Sequence, residues 1–290
     1  MPELVWLNGE VQNLDGAVVS VRDHAFLYGD GLFEGIRSYN RKIFKLDEHL
    51  ARLYNGIHYL GIEMKHSAAQ LKQIIVDVAK QADLESAYIR LVVTRGTGLG
   101  LDPRNIDRTP NVMVMVSKLA LFPQEAYETG LQTVLVSTRV FPAQCLDPRL
   151  KTIGRYVSNI IAKNEANRQG AGEGLMLNCE GYLAEGTGDN IFLVKDGVLK
   201  TPDIACGILG GITRATVIQL ARNAGIEVRE QFLTVYDVFE ADEAFLTGTA
   251  AEVIPMVGLD KKKIGCGTPG ELTMKIMEMF KQEITNGTPY

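Results

Sequence analysis

The chain has 290 residues, of which 46% are hydrophobic and 22% charged, with a net charge of −5 and a pI near 5.5. That length suits one large or two modest domains. The balance is that of an ordinary globular protein and carries no basic footprint for nucleic acid. Lys261-Lys262-Lys263 is the one basic run and reads as a solvated turn. None of the four cysteines forms a Cys-x-x-Cys pair, and no histidine lies at ligand spacing from them. No metal site is expected, and free thiols point to the cytoplasm. The N-terminus has no basic-then-apolar leader, and no apolar stretch reaches spanning length, so no membrane partner is expected.

Asn8-Gly9, between Leu4–Leu7 and Glu10-Val11, predicts a hairpin, because both turn positions favour positive φ. Ala17–Val21 is a second strand candidate. His24–Tyr39 is rich in glycine and aromatic residues without helical period, which suggests a pocket-lining loop or a buried turn. A helix opens at Asp47, carries Leu50, Leu53, Ile57 and Leu60 on one stripe, and ends at Gly61. Arg52 lies off that stripe and would by itself be read as solvated. Ser67 to Gln70 is a capping box for the next helix. Tyr88–Thr94 is a strand whose period of two puts Tyr88 and Arg90 on one face. Gly96–Gly100 is a candidate mobile loop, and Val112–Val116 is another strand.

The first domain is expected to span residues 1–118, followed by an interdomain loop over 119–130 and a second domain over 131–290. That second half predicts a strand at 133–137, a helix at 156–168, and hairpins at Glu180-Gly181 and Asp196-Gly197. A helix capped by Thr213 should follow, then strands at 226–232 and 243–247 and a last helix bearing Leu272, Ile276 and Phe280. The mixed order favours two α+β domains over a doubly wound sheet.

Glu185 to Arg214 concentrates the chemistry. An acidic residue sits in one glycine-rich turn, and a second such turn, Gly207–Gly211, leads straight into a helix. Unpaired N–H groups at a helix start can cradle an anion. No Gly-x-Ser-x-Gly elbow and no paired histidines support a hydrolase or a metalloenzyme.

This stretch resembles the signature of the class IV, pyridoxal-phosphate-dependent aminotransferases. The matching positions are Glu185, Thr187, Asn190-Ile191-Phe192, Leu199, Thr201, Ile208, Gly211-Ile212 and Arg214. Phe33-Glu34-Gly35-Ile36-Arg37, Tyr88-Ile89-Arg90 and Gly248–Glu252 are similar to branched-chain aminotransferase motifs and occur in the same order. The resemblance implies two domains of the D-amino-acid aminotransferase-like fold (fold type IV) and amino transfer between leucine, isoleucine or valine and 2-oxoglutarate. Related D-amino-acid and (R)-amine transaminases and aminodeoxychorismate lyase share that fold. Thr94-Arg95-Gly96 begins as in the D-specific enzymes, but their Arg-x-His carboxylate trap is absent.

The resemblance also implies roles. Lys151 matches the Schiff-base lysine of pyridoxal 5'-phosphate, with mid-helix Lys163 as its rival. Glu185 matches the acid at the pyridine nitrogen, and Tyr156 matches the partner of the ring's phenolic oxygen. Arg52, Ile212, Thr213 and Thr249 match phosphate ligands, and Leu209 the residue under the ring. Tyr88, Thr249 and Ala250 match the binders of the α-carboxylate, and Arg90 that of a distal carboxylate. Tyr28 and Phe33 match walls of the side-chain pocket, with Arg37 in support. A homodimer or higher homo-oligomer is implied, with Tyr28 lent to the partner and the site shared by both domains.

Overall fold

The computed structural model describes residues 3–118 and 122–290. Its elements in chain order begin with β1 (Leu4–Leu7), β2 (Glu10–Asn13), α1 (His24–Tyr28), β3 (Gly31–Tyr39), β4 (Lys42–Ile43), α2 (Leu46–Leu60), α3 (Ala68–Ala82), β5 (Ala87–Thr94) and β6 (Val112–Ser117). They continue with α4 (Gln124–Thr129), β7 (Leu131–Arg139), α5 (Tyr156–Arg168), β8 (Glu173–Leu177), β9 (Leu183–Gly186), β10 (Asn190–Lys195), β11 (Val198–Pro202) and α6 (Ile212–Asn223). Last come β12 (Val228–Gln231), α7 (Val235–Glu240), β13 (Glu243–Gly248), β14 (Glu252–Leu259), β15 (Lys262–Lys263), α8 (Glu271–Glu283) and β16 (Thr288–Pro289).

The chain divides into two compact units, and the division is not a single cut. One unit is Met1–Leu119 with Leu150–Arg155 and Ile284–Tyr290; the other is Ala120–Arg149 with Tyr156–Glu283. Lys151, expected in the C-terminal domain, therefore belongs to the first unit. The reason is local pairing. Phe33 N–H donates to Lys151 O (3.1 Å), Ile153 N–H donates to Gly31 O (2.9 Å), and Leu32 and Thr152 form a bridge. Residues 151–154 thus lie along β3 as a short extra strand. The expected loop over 119–130 falls partly outside the described residues, and its remainder holds α4.

The first unit is a seven-stranded sheet in the order β16-β4-β3-β5-β6-β1-β2. Leu50, Leu53 and Ile57 of α2 and Leu71, Ile75 and Val78 of α3 pack on Ile36, Ile89, Leu91 and Val114 in one core. Burying each such side chain contributes about 1.5–3 kcal/mol. The Asn8-Gly9 hairpin forms with both residues at positive φ (52° and 114°). Ala17–Val21 is not a strand; Val18 is 81% and Val21 73% exposed, so β-branched content there reflects surface apolarity and not pairing. His24–Tyr39 is likewise not one irregular stretch. It is a short helix and a strand buried on both faces, and burial on both sides erases the alternation that would reveal a strand.

The second unit is a nine-stranded sheet. β10, β13, β14, β7, β8 and β9 pair in sequence, and β9 returns to β10 through Glu185 and Asn190, so the strands close into a ring. β14 carries no clear sequence signal because Pro255 and Gly258 interrupt it. The predicted hairpins at 180–181 and 196–197 both form. No helix among the described residues is long and apolar enough to cross a membrane, and no His, Cys, Asp and Glu cluster there could hold a metal.

Candidate active site

In the first unit, β3 and β5 pair so that Phe33 faces Val92, Gly35 faces Arg90, and Arg37 faces Tyr88. Directly paired residues project to the same side. Phe33, Tyr88, Arg90 and Arg37 therefore share one face, which the period of β5 predicted for Tyr88 and Arg90. The Arg90 guanidinium lies 3.6 Å from the Phe33 ring centroid and its Nη1 is 3.4 Å from the Tyr88 hydroxyl. Lys151 Nζ lies 4.8 Å from the same Phe33 ring. A Cβ on Gly35 would stand 2.6 Å from the Tyr88 hydroxyl, so glycine there is what lets the tyrosine lie flat across β3. Arg37 stacks over Tyr39 at 4.8 Å.

The alternate face of β3 carries Glu34. Arg52 of α2 reaches it with Nε and Nη2 at 2.8 and 2.7 Å, and His49 Nδ1 lies 2.8 Å from its Oε2. Burial alone would raise the Glu34 pKa, but the charge and hydrogen bonds of Arg52, then those of His49, outweigh it and hold it at about 2. His49 is pushed down, first by burial, with Arg52 and Lys151 adding repulsion against the attraction of Glu34. Arg52 is thus no solvated helical arginine: it is fixed in a fork-to-carboxylate pair. Sequence reasoning missed Glu34 and His49 as its partners. Their signal was the i, i+3 placement of His49 and Arg52 on one helix face.

In the second unit, Glu185 sits at the pair that closes the ring. Its Oε2 accepts from Leu209 N–H (2.8 Å) and Asn190 Nδ2 (3.2 Å), and Asn190 Nδ2 also reaches Leu209 O (3.0 Å). The side chains of the first glycine-rich turn thereby grip the backbone of the second. Gly211 is required at the junction, since a Cβ on it would lie 2.0 Å from Asn190 Oδ1. Gly211, not Thr213, is the N-cap of α6, and no side chain caps that helix start. Thr213 lies in the first turn with its side chain buried, and Ile212 precedes it half-buried. Thr249 and Ala250 occupy the turn between β13 and β14, and Tyr156 opens α5.

Two signature residues serve as braces. Buried Arg214 donates to Pro202 O (2.8 Å) and Glu230 Oε2 (3.0 Å), and Thr201 Oγ1 donates to Ile191 O (2.8 Å). They lock α6 to β10, β11 and β12. Lys163 is tied to Gly172 O (2.6 Å) and Glu173 Oε2 (3.1 Å), and Glu173 in turn holds the N–H and hydroxyl of Thr187. That lysine is consumed in shaping the Glu185 turn. Arg149 pairs with Asp147 at 2.9 Å.

Each unit carries features suited to a phosphorylated pyridine. Thr152 Oγ1 beside Lys151, and Thr247 Oγ1 paired across from Asn190, are both buried without a hydrogen-bond partner among the described residues. Such orphaned hydroxyls next to the lysine and to the acid's partner are polar sockets suited to a polar group. The uncapped start of α6 adds N–H donors suited to phosphate.

Comparison with known proteins places this architecture. The amino-transferase class IV family profile matches residues 31–258. A putative branched-chain-amino-acid aminotransferase of Methanocaldococcus jannaschii is 44% identical over 278 residues, 96% of this chain and 95% of that protein. The crystal structure of the Escherichia coli branched-chain amino acid aminotransferase superposes with a TM-score of 0.93 at 35% identity, covering 97% of this chain and 94% of the other. The branched-chain amino acid aminotransferase of Thermobaculum terrenum, in its PLP-bound holo form, gives 0.88 at 30% identity, covering 98% and 94%. The chain belongs to the class IV aminotransferases, the pyridoxal-phosphate-dependent enzymes of fold type IV.

Proposed function

We propose that this protein is a branched-chain-amino-acid transaminase that moves the amino group between leucine, isoleucine or valine and 2-oxoglutarate. The observation that carries the reading is near full-length similarity to branched-chain enzymes, joined to Lys151 against Phe33 and Arg90 on one sheet face. When bound, pyridoxal phosphate supplies the electron sink that makes the substrate Cα proton removable.

This chain's residues do the rest. Lys151 Nζ would hold the cofactor at rest and, when free, would act as the base that takes the substrate Cα proton and the acid that delivers it to the cofactor's aldehyde carbon, which then carries the amino group. Glu185, oriented by Leu209 and Asn190, would pair with the pyridine nitrogen, and Tyr156 with the phenolic oxygen. Leu209 would support the ring. Arg52, Ile212, Thr213 and Thr249 would hold the phosphate. Tyr88, with Thr249 and Ala250, receives the α-carboxylate. Arg90 receives the distal carboxylate of glutamate, which a guanidinium suits through paired N–H groups. Phe33 and Arg37, with Tyr28 lent from one subunit to the next, shape the apolar pocket.

The protein is a homodimer in this reading. In the first unit Phe26 is 71% and Leu101 81% exposed, and in the second Val157, Ile160 and Ile161 share an exposed stripe of α5. Surfaces of this kind mark association sites, and light scattering checks the dimer. Four unpaired cysteines suit a cytoplasmic setting.

The test of the function is the half-reaction with L-leucine, D-alanine and (R)-1-phenylethylamine, followed by the visible absorbance of the bound cofactor. L-Leucine should react fastest. Faster reaction of D-alanine or the amine would overturn the branched-chain reading.

A further inference from the structure

A group of polar side chains in the first unit takes no part in the scheme above. It surrounds α1, a helix of five residues that ends on Tyr28. So short a helix cannot hold itself in water. Its start is fixed by buried Asp23, which accepts from Ala25 N–H (2.7 Å), Thr94 Oγ1 (2.8 Å) and Asn111 Nδ2 (2.6 Å). Its end turns at Gly29 (φ 69°), where a Cβ would lie 2.5 Å from Gly154 Cα.

Tyr28 itself is half-exposed, and two neighbours fix its ring and its hydroxyl. The His24 ring meets it edge-on, with centroids 4.9 Å apart. Its hydroxyl accepts from Gly100 N–H at 3.1 Å. His24 is in turn held by Asp30, whose Oδ2 is 3.0 Å from Nδ1. Arg95 grips Asp30 with Nε and Nη2 at 2.5 and 3.0 Å. The remaining nitrogen of that guanidinium donates to Leu60 O (3.0 Å) at the end of α2. One planar fork thus joins a helix C-terminus to a carboxylate, a task lysine cannot copy.

His24 Nε2 is buried without a partner among the described residues. A phenylalanine would fill the same place without that loss. An imidazole is worth its orphaned nitrogen only if the Nδ1 bond to Asp30 matters. The loop 96–107 is bound into the same device: His24 N–H donates to Gly96 O, Gly98 N–H donates to Arg22 O, and Thr97 bridges both Asp23 and Asp107. The expected mobile loop is therefore stapled.

We infer that Arg95, Asp30 and His24 form a positioning relay that fixes the Tyr28 ring and thereby sets how tightly the amino-acid side chain is received. The inference rests on the proposed place of Tyr28 in the pocket wall. None of the three residues touches the reacting atoms.

The experiment is a double-mutant cycle on the holoenzyme. Asp30→Asn and His24→Phe, both close in size to the native residues, are made alone and together with Tyr28→Ala. Each single change should raise the KM for L-leucine roughly tenfold with kcat within about twofold, as a misplaced positioning group does. The cofactor Kd, read by fluorescence titration, should stay unchanged. Added to Tyr28→Ala, either change should cost less than about twofold more, because its target is gone. Full additivity, or an unchanged KM in a folded single variant, would overturn the relay. Isotope-labelled tyrosine NMR gives a readout that needs no substrate: the Tyr28 ring signals should broaden or shift in both single variants, and unchanged signals would sink the idea. If the unaltered protein fails to turn over L-leucine, the function reading falls, and the NMR result still decides the relay.

Discussion

The two units present their candidate functional groups by different means. In the first, an open sheet presents side chains from one strand face: Phe33, Tyr88 and Arg90, with Lys151 brought beside them by a strand-like segment. In the second, a closed ring presents turns, and much of what it offers is backbone: Leu209 N–H to Glu185, and the uncapped N–H groups of α6 behind Gly211. A strand face is specified by which side chain occupies each alternate position. A turn is specified by where a Cβ is forbidden. Errors on the Phe33–Tyr88–Arg90 strand face of the first unit should therefore disturb the substrate, and errors in the Glu185 and Gly211 turns of the second should disturb cofactor retention.

The largest effect should come from Lys151, the side chain to which the proposed function gives the bond chemistry. Lys151→Ala should reduce kcat by on the order of 10⁴-fold, the scale of a lost proton-transfer group, and abolish the visible absorbance of the lysine-bound cofactor. Melting should be nearly unchanged. If absorbance and turnover both survived, the role would belong to another lysine, although Lys163 is already engaged by Glu173.

The contrast between strand and turn is sharpened by a pair of glycine changes. Gly211→Ala drives a Cβ to 2.0 Å from Asn190 Oδ1, at the knot that holds Glu185 and Leu209. Overpacking of that kind costs about 1–3 kcal/mol, and the cofactor Kd should rise with it. Gly35→Ala instead displaces the Tyr88 ring, whose hydroxyl would be 2.6 Å away. Its signature should be a raised KM for amino acids with cofactor Kd intact. The opposite assignment of the two effects would break the comparison between the units.

Glu34 offers a pH test confined to the first unit. Its pKa is held near 2, against an ordinary 4.5, by Arg52 and His49 in spite of burial. A carboxylate depressed on folding adds stability above its unfolded pKa, and that stability is lost as the pH falls toward its folded value. The shift corresponds to about 3 kcal/mol, lost between roughly pH 4.5 and pH 2. His49, lowered by burial, adds a separate loss as the pH falls below its ordinary 6.5. Glu34→Gln should lower stability at neutral pH by about 3 kcal/mol, since it leaves the Arg52 charge without its carboxylate. It should also flatten the acid limb below pH 4.5. Urea melts at pH 7, 5 and 3 check this, and an acid limb as steep as in the parent protein would refute it.

How much of this was legible in the sequence follows from the same contrast. Local rules found α2, α3, the Asn8-Gly9 and Asp196-Gly197 hairpins and the shared face of Tyr88 and Arg90, because period, caps and turn chemistry act within a few residues. Strands buried on both sides escaped: β3 has no alternation, and β14 contains Pro255 and Gly258. Lys151 was reachable only through family resemblance, whereas Glu185 stood out in its glycine-rich turn and owed to the resemblance only its role at the pyridine nitrogen. Nothing near Lys151 in the chain announces that residues 151–154 pair with β3. The Glu34–Arg52–His49 knot was half-visible, since His49 and Arg52 share a helix face, but only the fold brings Glu34 to them. The relay behind Tyr28 joins residues 24, 30, 60 and 95, separations that no local rule spans.

The smallest predicted effect sets the floor for the others. Ser67 caps α3 by accepting from Gln70 N–H, while the Gln70 side chain accepts from Ser67 N–H. Both bonds are exposed, and neither residue touches the Phe33 face or the Glu185 turn. Ser67→Ala removes one half of the box and should cost about 1 kcal/mol. A thermal melt should move by a few degrees, since a change of 1 kcal/mol shifts the midpoint about 2–4 °C in a chain above 150 residues. KM, kcat and cofactor Kd should all hold. Were they to move with it, loosening the first unit anywhere would disturb the substrate. The specific effects assigned to Gly35, His24 and Asp30 would then be no more than lost stability.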